Sequence, residues 1–218
     1  MTESEKYFRY LVEEIHTTIM ATVDEGGLPV TAAIDMMDTD GESLFFLTAK
    51  GKSLYDRLVS RPFVSLTALK GEDTMSSKAL TVRGRVRELG YELIPELFEK
   101  NPYMKNIYPT EESMRALTAF QIFMGSGEWF DLSKRPIERA SFEFGTDEDA
   151  ETEIRKEGYV INDKCIGCGS CLTVCPQNCI SSDDIPFTIQ ADHCLHCGSC
   201  MSVCPAGAVE RRRRDENN

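Results

Sequence analysis

Short blocks of alternating apolar and polar residues run through the first 145 positions and predict a mainly β domain. The β-branched stretch TTIMATV is followed by the turn sequence DEGG and by LPVTAAID, which is the pattern of a β-hairpin. Further strand patterns are SLFFLTA, RPFVSLTAL, KALTVRGRVREL, ALTAFQIFMG, GEWFDL and RASFEFG, and we expect ALTAFQIFMG and GEWFDL to pair as another hairpin. We predict six or seven antiparallel strands forming a small closed barrel, because closure removes exposed sheet edges.

Three segments carry apolar residues at helical spacing instead. In ESEKYFRYLVEEI the apolar positions recur every three or four residues, and KSLYDRLVS shows the same spacing. A third segment, YELIPELFEK, is expected to be helical from about Pro95, because proline suits the first turn of a helix. We expect these helices to flank the barrel.

A change of composition divides the chain. The segment GTDEDAETEIRKEG at residues 145–158 contains six acidic residues, two basic residues and one large apolar residue, Ile154, so it buries little surface. We therefore predict a barrel domain at 1–145, an acidic linker at 146–157, a second domain at 158–210 and a charged tail at 211–218. The tail begins with the basic run Arg211 to Arg214. We interpret this run as solvated. The alternative is that it forms a docking patch for an acidic partner.

The second domain repeats itself at an offset of 29 residues. DKCIGCGSCLTVC, beginning at Asp163, aligns with DHCLHCGSCMSVC, beginning at Asp192, and both copies are followed by proline. Two copies in about fifty residues indicate a small pseudo-twofold unit.

Composition and charge narrow the functional classes. The chain has 218 residues and a formal net charge of −12, which argues against general affinity for nucleic acid. The acidic N-terminus lacks the basic start of a signal peptide, and no apolar run is long enough to span a bilayer. We therefore expect a cytoplasmic protein without a membrane partner. In that compartment thiols stay reduced, and clustered cysteines usually bind metal.

All nine cysteines lie between Cys165 and Cys204. A structural zinc site needs four ligands, usually from two C-x-x-C pairs, whereas each copy here reads C-x₂-C-x₂-C-x₃-C-P. That run is typical of two [4Fe–4S] clusters, in which the fourth cysteine of each run ligates the other cluster. Zinc, or one degraded cluster, is the alternative.

The doubled run resembles the bacterial-type two-cluster ferredoxins, which are small α+β domains. The resemblance implies that each cluster takes three cysteines from one copy and the fourth from the other. One set is Cys165, Cys168, Cys171 and Cys204, and the other is Cys194, Cys197, Cys200 and Cys175. Cys179 aligns with Ala208 and is interpreted as an apolar filler, with a redox thiol as the alternative. His193 and His196 match no ligand position.

One stretch of the barrel domain carries candidate chemistry. In FFLTAKGKSLYDRL a strand ends at Thr48, and Lys50, Gly51, Lys52 and Ser53 lead into a helix. Two lysines and the amides of a helix N-terminus make a phosphate site. Solvated lysines in a turn are the alternative.

The order of elements around this stretch resembles the pyridoxamine 5′-phosphate oxidase-like family, the flavin-binding split barrels. The resemblance implies FMN at the interface of a homodimer, its phosphate held by Thr48, Lys50, Lys52 and Ser53. Ala33 and Ile34 match the strand along the flavin ring. Trp129 is either a flavin neighbour from the partner subunit or a core aromatic. Where the oxidase itself offers a glutamine this chain has Ala79, so we do not predict oxidation of pyridoxamine phosphate.

Together the two domains predict an iron–sulfur flavoprotein. FMN exchanges electrons singly or in pairs, and low-potential clusters can supply them. We expect electrons to pass from a ferredoxin-like carrier through the clusters to FMN, and from there to a small-molecule substrate, in an anaerobic cytoplasm. The alternatives are an electron relay without its own substrate and a redox-sensing binding module.

Overall fold

The computed structural model describes residues 1–145 and 158–212, which fall into two compact units. Among these residues, the first unit contains 1–72, 77–129 and 141–145, and the second contains 73–76, 130–140 and 158–212. The predicted acidic linker at 146–157 and positions 213–218 of the predicted tail lie outside the described residues. None of the helices in the described ranges has the length and apolar character that crossing a membrane requires.

One antiparallel sheet of eight strands forms the framework of the N-terminal part. Its strands are β1 (Thr17–Val23), β2 (Pro29–Asp35), β3 (Asp38–Thr39), β4 (Leu44–Ala49), β5 (Phe63–Lys70), β6 (Lys78–Gly90), β7 (Leu117–Asp131) and β8 (Glu138–Phe144). They pair in the order β2-β1-β5-β6-β7-β4-β3, and β8 also pairs with β7. Over the described residues this order leaves β2 and β3 as open ends, so the sheet is a half-barrel rather than a closed one. The predicted β fold with flanking helices is confirmed.

Helices cover the sheet where their apolar residues predicted them. They are α1 (Glu3–Tyr10), continued by a π-helical turn at Leu11–Ile15, then α2 (Ser53–Ser60), α3 (Ile94–Lys100), a 3₁₀ turn at Pro102–Asn106 and α4 (Glu111–Met114). Their apolar residues pack on both faces of the sheet: the core cluster that contains α3 includes Phe45 and Leu47 of β4, whereas Phe46 stacks on Phe120 on the opposite face. Four phenylalanines in these two layers are almost fully buried. These are Phe8, Phe46, Phe98 and Phe120.

The hairpin expected between ALTAFQIFMG and GEWFDL is wrong, because both patterns belong to the single strand β7. The two glycines between them serve close packing instead of a turn. A Cβ atom on Gly125 would lie 1.9 Å from the carbonyl oxygen of Arg83, and one on Gly127 would lie 2.2 Å from the ring of Phe142. Only glycine fits at such distances without a shift of the neighbours.

The second unit has the internal symmetry that the repeat predicts. Strand β9 (Gly158–Ile161) pairs with β12 (Val209–Arg212), and β10 (Ile180–Ser181) pairs with β11 (Thr188–Ile189). One short helix contains the third cysteine of each copy, α5 (Ser170–Val174) with Cys171 and α6 (Ser199–Ser202) with Cys200. A 3₁₀ turn at Ala191–His193 precedes the second copy. Arg211 and Arg212 belong to β12, so the basic run begins in a strand.

Candidate functional site

Four cysteines from the two halves of the repeat surround one hollow of about 310 Å³ in the second unit. They are Cys165, Cys168, Cys171 and Cys204. Three come from the first copy and the fourth from the second, and the other walls include Ile161, Phe187 and Val209. An apolar hollow with four thiols has the donor set that a [4Fe–4S] cluster takes.

The remaining ligand candidates surround a second hollow of about 340 Å³. They are Cys175, Cys194, Cys197 and Cys200. Here too three thiols come from one copy and the fourth from the other, and the walls include Tyr159, Ile180 and Leu195. The fold therefore brings together the two crossed sets that the ferredoxin resemblance implies.

Left-handed residues make the cysteine loops tight enough to curve around these hollows. Gly169 and Gly198 both have φ of 77° and cap the helices α5 and α6. Gly167 has φ of 68°, and the equivalent residue of the second copy is His196, with φ of 55°. Glycine adopts this conformation without a steric cost, which explains its use at three of the four positions.

Hydrogen bonds to sulfur distinguish the thiols within each set. Cys168 Sγ lies 3.5 Å from Ser170 Oγ, and Cys197 Sγ lies 3.4 Å from Ser199 Oγ. These contacts lower the pKa of both thiols, which favours the thiolate that binds iron. Burial raises the pKa of the third thiol of each run, and a bound cation would offset that cost of holding charge on the two sulfurs.

The ninth cysteine, Cys179, is buried and also lines the second hollow. Cys179 Sγ lies 3.5 Å from Cys175 Sγ, and burial is the main reason why its pKa is raised. Its carbonyl accepts a hydrogen bond from the Gln190 amide, as the carbonyl of Ala208 does from Asn162. These matching positions agree with the interpretation of Cys179 as an apolar filler.

Both histidines of the second cysteine run contact the connection from β7 to β8 or the start of β8, within residues 130–140 of the second unit. His193 Nδ1 lies 2.9 Å from the carbonyl oxygen of Ile137, and His196 Nδ1 lies 2.6 Å from the guanidinium of Arg139. The amide of Ile137 donates to Gln177 Oε1 at 3.1 Å. The sequence carried no signal of these contacts, because partners forty or more residues apart show no periodic pattern.

The predicted phosphate turn lies at the surface of the first unit. Lys50, Lys52 and Ser53 are exposed, and α2 begins at Ser53 without a side-chain cap on its first amides. Thr48 differs, because its side chain faces the core and its buried Oγ1 has no hydrogen-bond partner among the described residues. A phosphate suits two free lysine side chains and an uncapped helix N-terminus, and an orphaned hydroxyl next to them fits an additional polar ligand.

The residues assigned to the flavin ring lie on the edge strand of the sheet. Ala33 in β2 is exposed and pairs with Ile19 in β1, and Ile34 is partly buried. Trp129 lies elsewhere, buried in an aromatic cluster where its ring stacks on Tyr7 with centroids 5.1 Å apart. Of the two roles considered from the sequence, this position is that of a core aromatic.

Fold and hollows together define a class of redox proteins in which a flavin-binding-type split barrel is joined to a ferredoxin-type domain. A family model described as pyridoxamine 5′-phosphate oxidase matches residues 4–129, and one described as 4Fe-4S dicluster domain matches residues 164–208. The chain belongs to the pyridoxamine 5′-phosphate oxidase family. The dicluster match supports two [4Fe–4S] clusters.

Two curated relatives are ferredoxins that match a short stretch of this chain. The 4Fe-4S ferredoxin FdxA of Gottschalkia acidurici is 56% identical over 34 residues, which are 16% of this chain and 61% of that protein. A ferredoxin of Acetoanaerobium sticklandii is 52% identical over 33 residues, 15% of this chain and 59% of that protein. The chain thus spans about three fifths of the length of the curated ferredoxins that it matches.

Solved structures match the barrel. A NimC/NimA family protein of Clostridium acetobutylicum aligns with a TM-score of 0.53 and 18% identity, covering 65% of this chain and 93% of that one. A protein of the same organism related to general stress protein 26, of the pyridoxinephosphate oxidase family, aligns with a TM-score of 0.51 and 19% identity, covering 64% and 95%. At these identities the likeness establishes the fold alone.

Proposed function

We propose that this chain is an FMN-dependent reductase fed by two [4Fe–4S] clusters. The observation that carries the proposal is the joining of two four-cysteine hollows with a flavin-type barrel in one chain. Electrons enter from a ferredoxin-like carrier, pass through the clusters and leave to a small molecule. Reduced thiols as ligands fit the cytoplasm. The alternative is an electron relay without its own substrate. In a reductase the reduced flavin transfers electrons to small-molecule acceptors, and in a relay it does not.

The barrel residues have separate roles in this proposal. Lys50, Lys52 and Ser53 hold the phosphate of FMN, with Thr48 behind them, and the flavin ring lies along Ala33 and Ile34. When bound, FMN converts single electrons from the clusters into the electron pair that an organic substrate takes up.

A homodimer is part of the proposal, because the outward face of the sheet is apolar beside Ala33. Ile19, Phe63 and Leu69 are exposed there by 54%, 47% and 63%. Burying such side chains contributes about 25 cal/mol for each Å² removed from water, which favours a partner on this face. A second copy placed there would cover the flavin, as the family resemblance implies.

Metal content is the first prediction. Anaerobic reconstitution should load about eight irons and about eight sulfides per chain, because each hollow brings together one crossed set of four ligand candidates. Iron and sulfide assays together with the visible spectrum of the reconstituted chain measure this. Stoichiometric zinc in anaerobically isolated protein, without broad cluster absorbance, would contradict the prediction.

Flavin affinity tests the phosphate turn. The double variant Lys50→Ala and Lys52→Ala should weaken FMN binding by at least about tenfold, because hydrogen bonds between charged groups contribute about 1.5–3 kcal/mol each. Fluorescence titration measures the change. Riboflavin lacks the phosphate, so its affinity should change little.

A second double variant provides the control for lost charge. Lys105→Ala with Lys134→Ala removes two exposed lysines outside the turn and should leave FMN affinity unchanged. If the Lys50 and Lys52 variant loses FMN and riboflavin equally, the residues do not bind the phosphate.

A further inference from the structure

Three polar side chains from distant parts of the first unit meet at the end of β2. His16 Nε2 lies 2.6 Å from Tyr103 Oη, and the Tyr103 hydroxyl donates to Asp35 Oδ2 at 2.8 Å. The other oxygen of Asp35 accepts from the Thr17 hydroxyl at 2.7 Å. The chain of contacts thus runs from a carboxylate through a phenol to an imidazole, and none of these groups has a role in the preceding proposal.

His16 is held in a backbone conformation that costs free energy. Its φ of 68° and ψ of −62° lie in the γ-turn region, which is rare for a residue with a side chain. Two backbone hydrogen bonds hold it there, from its amide to the Leu11 carbonyl and from the Met36 amide to its own carbonyl. Conformations of this kind are costly and cluster at functional sites.

The direction of the hydrogen bonds decides which imidazole nitrogen is available. The one hydroxyl proton of Tyr103 points to Asp35, so the phenol oxygen accepts and His16 Nε2 carries a proton. Across the described residues, Nδ1 of His16 makes no hydrogen bond. The side chain of His16 is 30% exposed and that of Asp35 is 32% exposed, so Nδ1 is within reach of water and of small molecules.

His16, Tyr103 and Asp35 lie close to the residues proposed to hold the flavin ring. Asp35 follows Ala33 by two residues in the same strand, and such residues share one face of a sheet at a spacing of about 7 Å. If FMN lies along Ala33 and Ile34, His16 stands close to the edge of its ring. The inference rests on the proposed function for this step.

We propose that His16 is the proton donor for two-electron reduction in this protein, and that Tyr103 and Asp35 are its positioning residues. When bound, reduced FMN would supply the hydride equivalent that the acceptor needs. His16 donates as the imidazolium, protonated at both nitrogens: the Nδ1–H bond breaks, its electron pair stays on the nitrogen, and a neutral ring with the Nε2 proton remains. One hydride and one proton together convert a quinone into a hydroquinone. A solvent acid then returns a proton to Nδ1, and the Asp35 carboxylate, 3.6 Å from Nε2, balances the charge of the re-formed imidazolium.

The test compares an acceptor that needs protons with one that does not. The full chain, loaded with FMN and clusters and reduced anaerobically, is mixed with benzoquinone or with ferricyanide while flavin absorbance is followed. His16→Asn should slow oxidation by benzoquinone about a hundredfold, the usual contribution of a general acid, and leave oxidation by ferricyanide unchanged. Tyr103→Phe keeps the ring and should slow the benzoquinone reaction about tenfold. Tyr108→Phe also removes one phenol hydroxyl, two residues beyond the Pro102–Asn106 turn, and is the matched control that should leave both rates unchanged.

A second measurement needs no flavin. The chain has three histidines, so ¹⁵N NMR of labelled protein can follow the Nε2–H signal of His16, which Tyr103→Phe should shift. Burial and the hydrogen bond to Asp35 raise the pKa of Tyr103, so Asp35→Asn should move its ionisation to lower pH in an ultraviolet titration. Unchanged signals would overturn the hydrogen-bonded chain and with it the proposal.

The possible results distinguish a wrong role for His16 from a wrong assignment of the protein as a flavin-dependent reductase. An unchanged ratio of benzoquinone to ferricyanide rates in flavin-loaded His16→Asn overturns the proton donor while leaving the reductase intact. If His16→Asn lowers the thermal stability and leaves the ratio of the two rates unchanged, the contacts of His16, Tyr103 and Asp35 only attach the Pro102–Asn106 turn to the sheet. A chain that binds no flavin overturns the proposed function and the proton donor together.

Discussion

Replacing Cys204 with serine is expected to remove the cluster associated with Cys165, Cys168 and Cys171, although Cys204 lies in the other copy of the repeat. The reason is geometric, because Cys204 lines the hollow of the first three cysteines and not that of the other copy. About four of about eight irons per chain should be lost. EPR of the reduced protein should show one remaining cluster without the coupling between two neighbouring clusters.

Cys179→Ala is the matched control for this variant. It also removes one sulfur from the second unit, but that sulfur belongs to neither set of four, and a buried cysteine replaced by alanine leaves only a small cavity. Both clusters should be retained. Loss of the cluster associated with Cys194, Cys197 and Cys200 from Cys204→Ser would contradict the crossed assignment.

A chain without clusters is expected to lose fast reduction of its flavin by a reduced ferredoxin. The double variant Cys168→Ala and Cys197→Ala removes one exposed thiol from each set. Flavin binding should be retained, because both changes lie outside the first unit. A tether gives a neighbouring cofactor an effective concentration on the order of millimolar, so at micromolar carrier the rate should fall about a hundredfold. Rapid-mixing absorbance at the flavin band measures it.

A small photochemical reductant provides the control for this experiment, since it reaches flavin directly. It should reduce the flavin at the same rate in the wild-type chain and in the double variant. Equal rates with reduced ferredoxin in the two proteins would mean that the clusters are not the entry path for electrons.

Much of the fold could be predicted because its signals are local. The hairpin of β1 and β2, the helix α3 beginning near Pro95 and the doubled cysteine run all depend on residues close together in sequence. Periodicity reports which side of an element is buried, and a tight cluster-binding loop requires cysteines and glycines at fixed short spacing. Mainly β architecture, flanking helices and the two candidate cluster sets therefore followed from the sequence.

Strand β7 shows where local signals mislead. Two glycines within three residues, Gly125 and Gly127, are typical of a turn, yet both lie inside one strand. Their need for glycine comes from Arg83 and Phe142, which are neighbours only in the folded chain. A turn and a close backbone approach favour the same residue type, so the sequence alone cannot distinguish them.

The sequence by itself determined the elements, the repeat and the thiols capable of binding iron. The tertiary structure decided which residues without a motif meet: Arg139 with His196, and His16 with Tyr103 and Asp35. His16 and Tyr103 are 87 residues apart, and neither lies in a recognisable motif. The physical reason is that such contacts depend on the packing of whole elements against one another, which no spacing along the chain encodes.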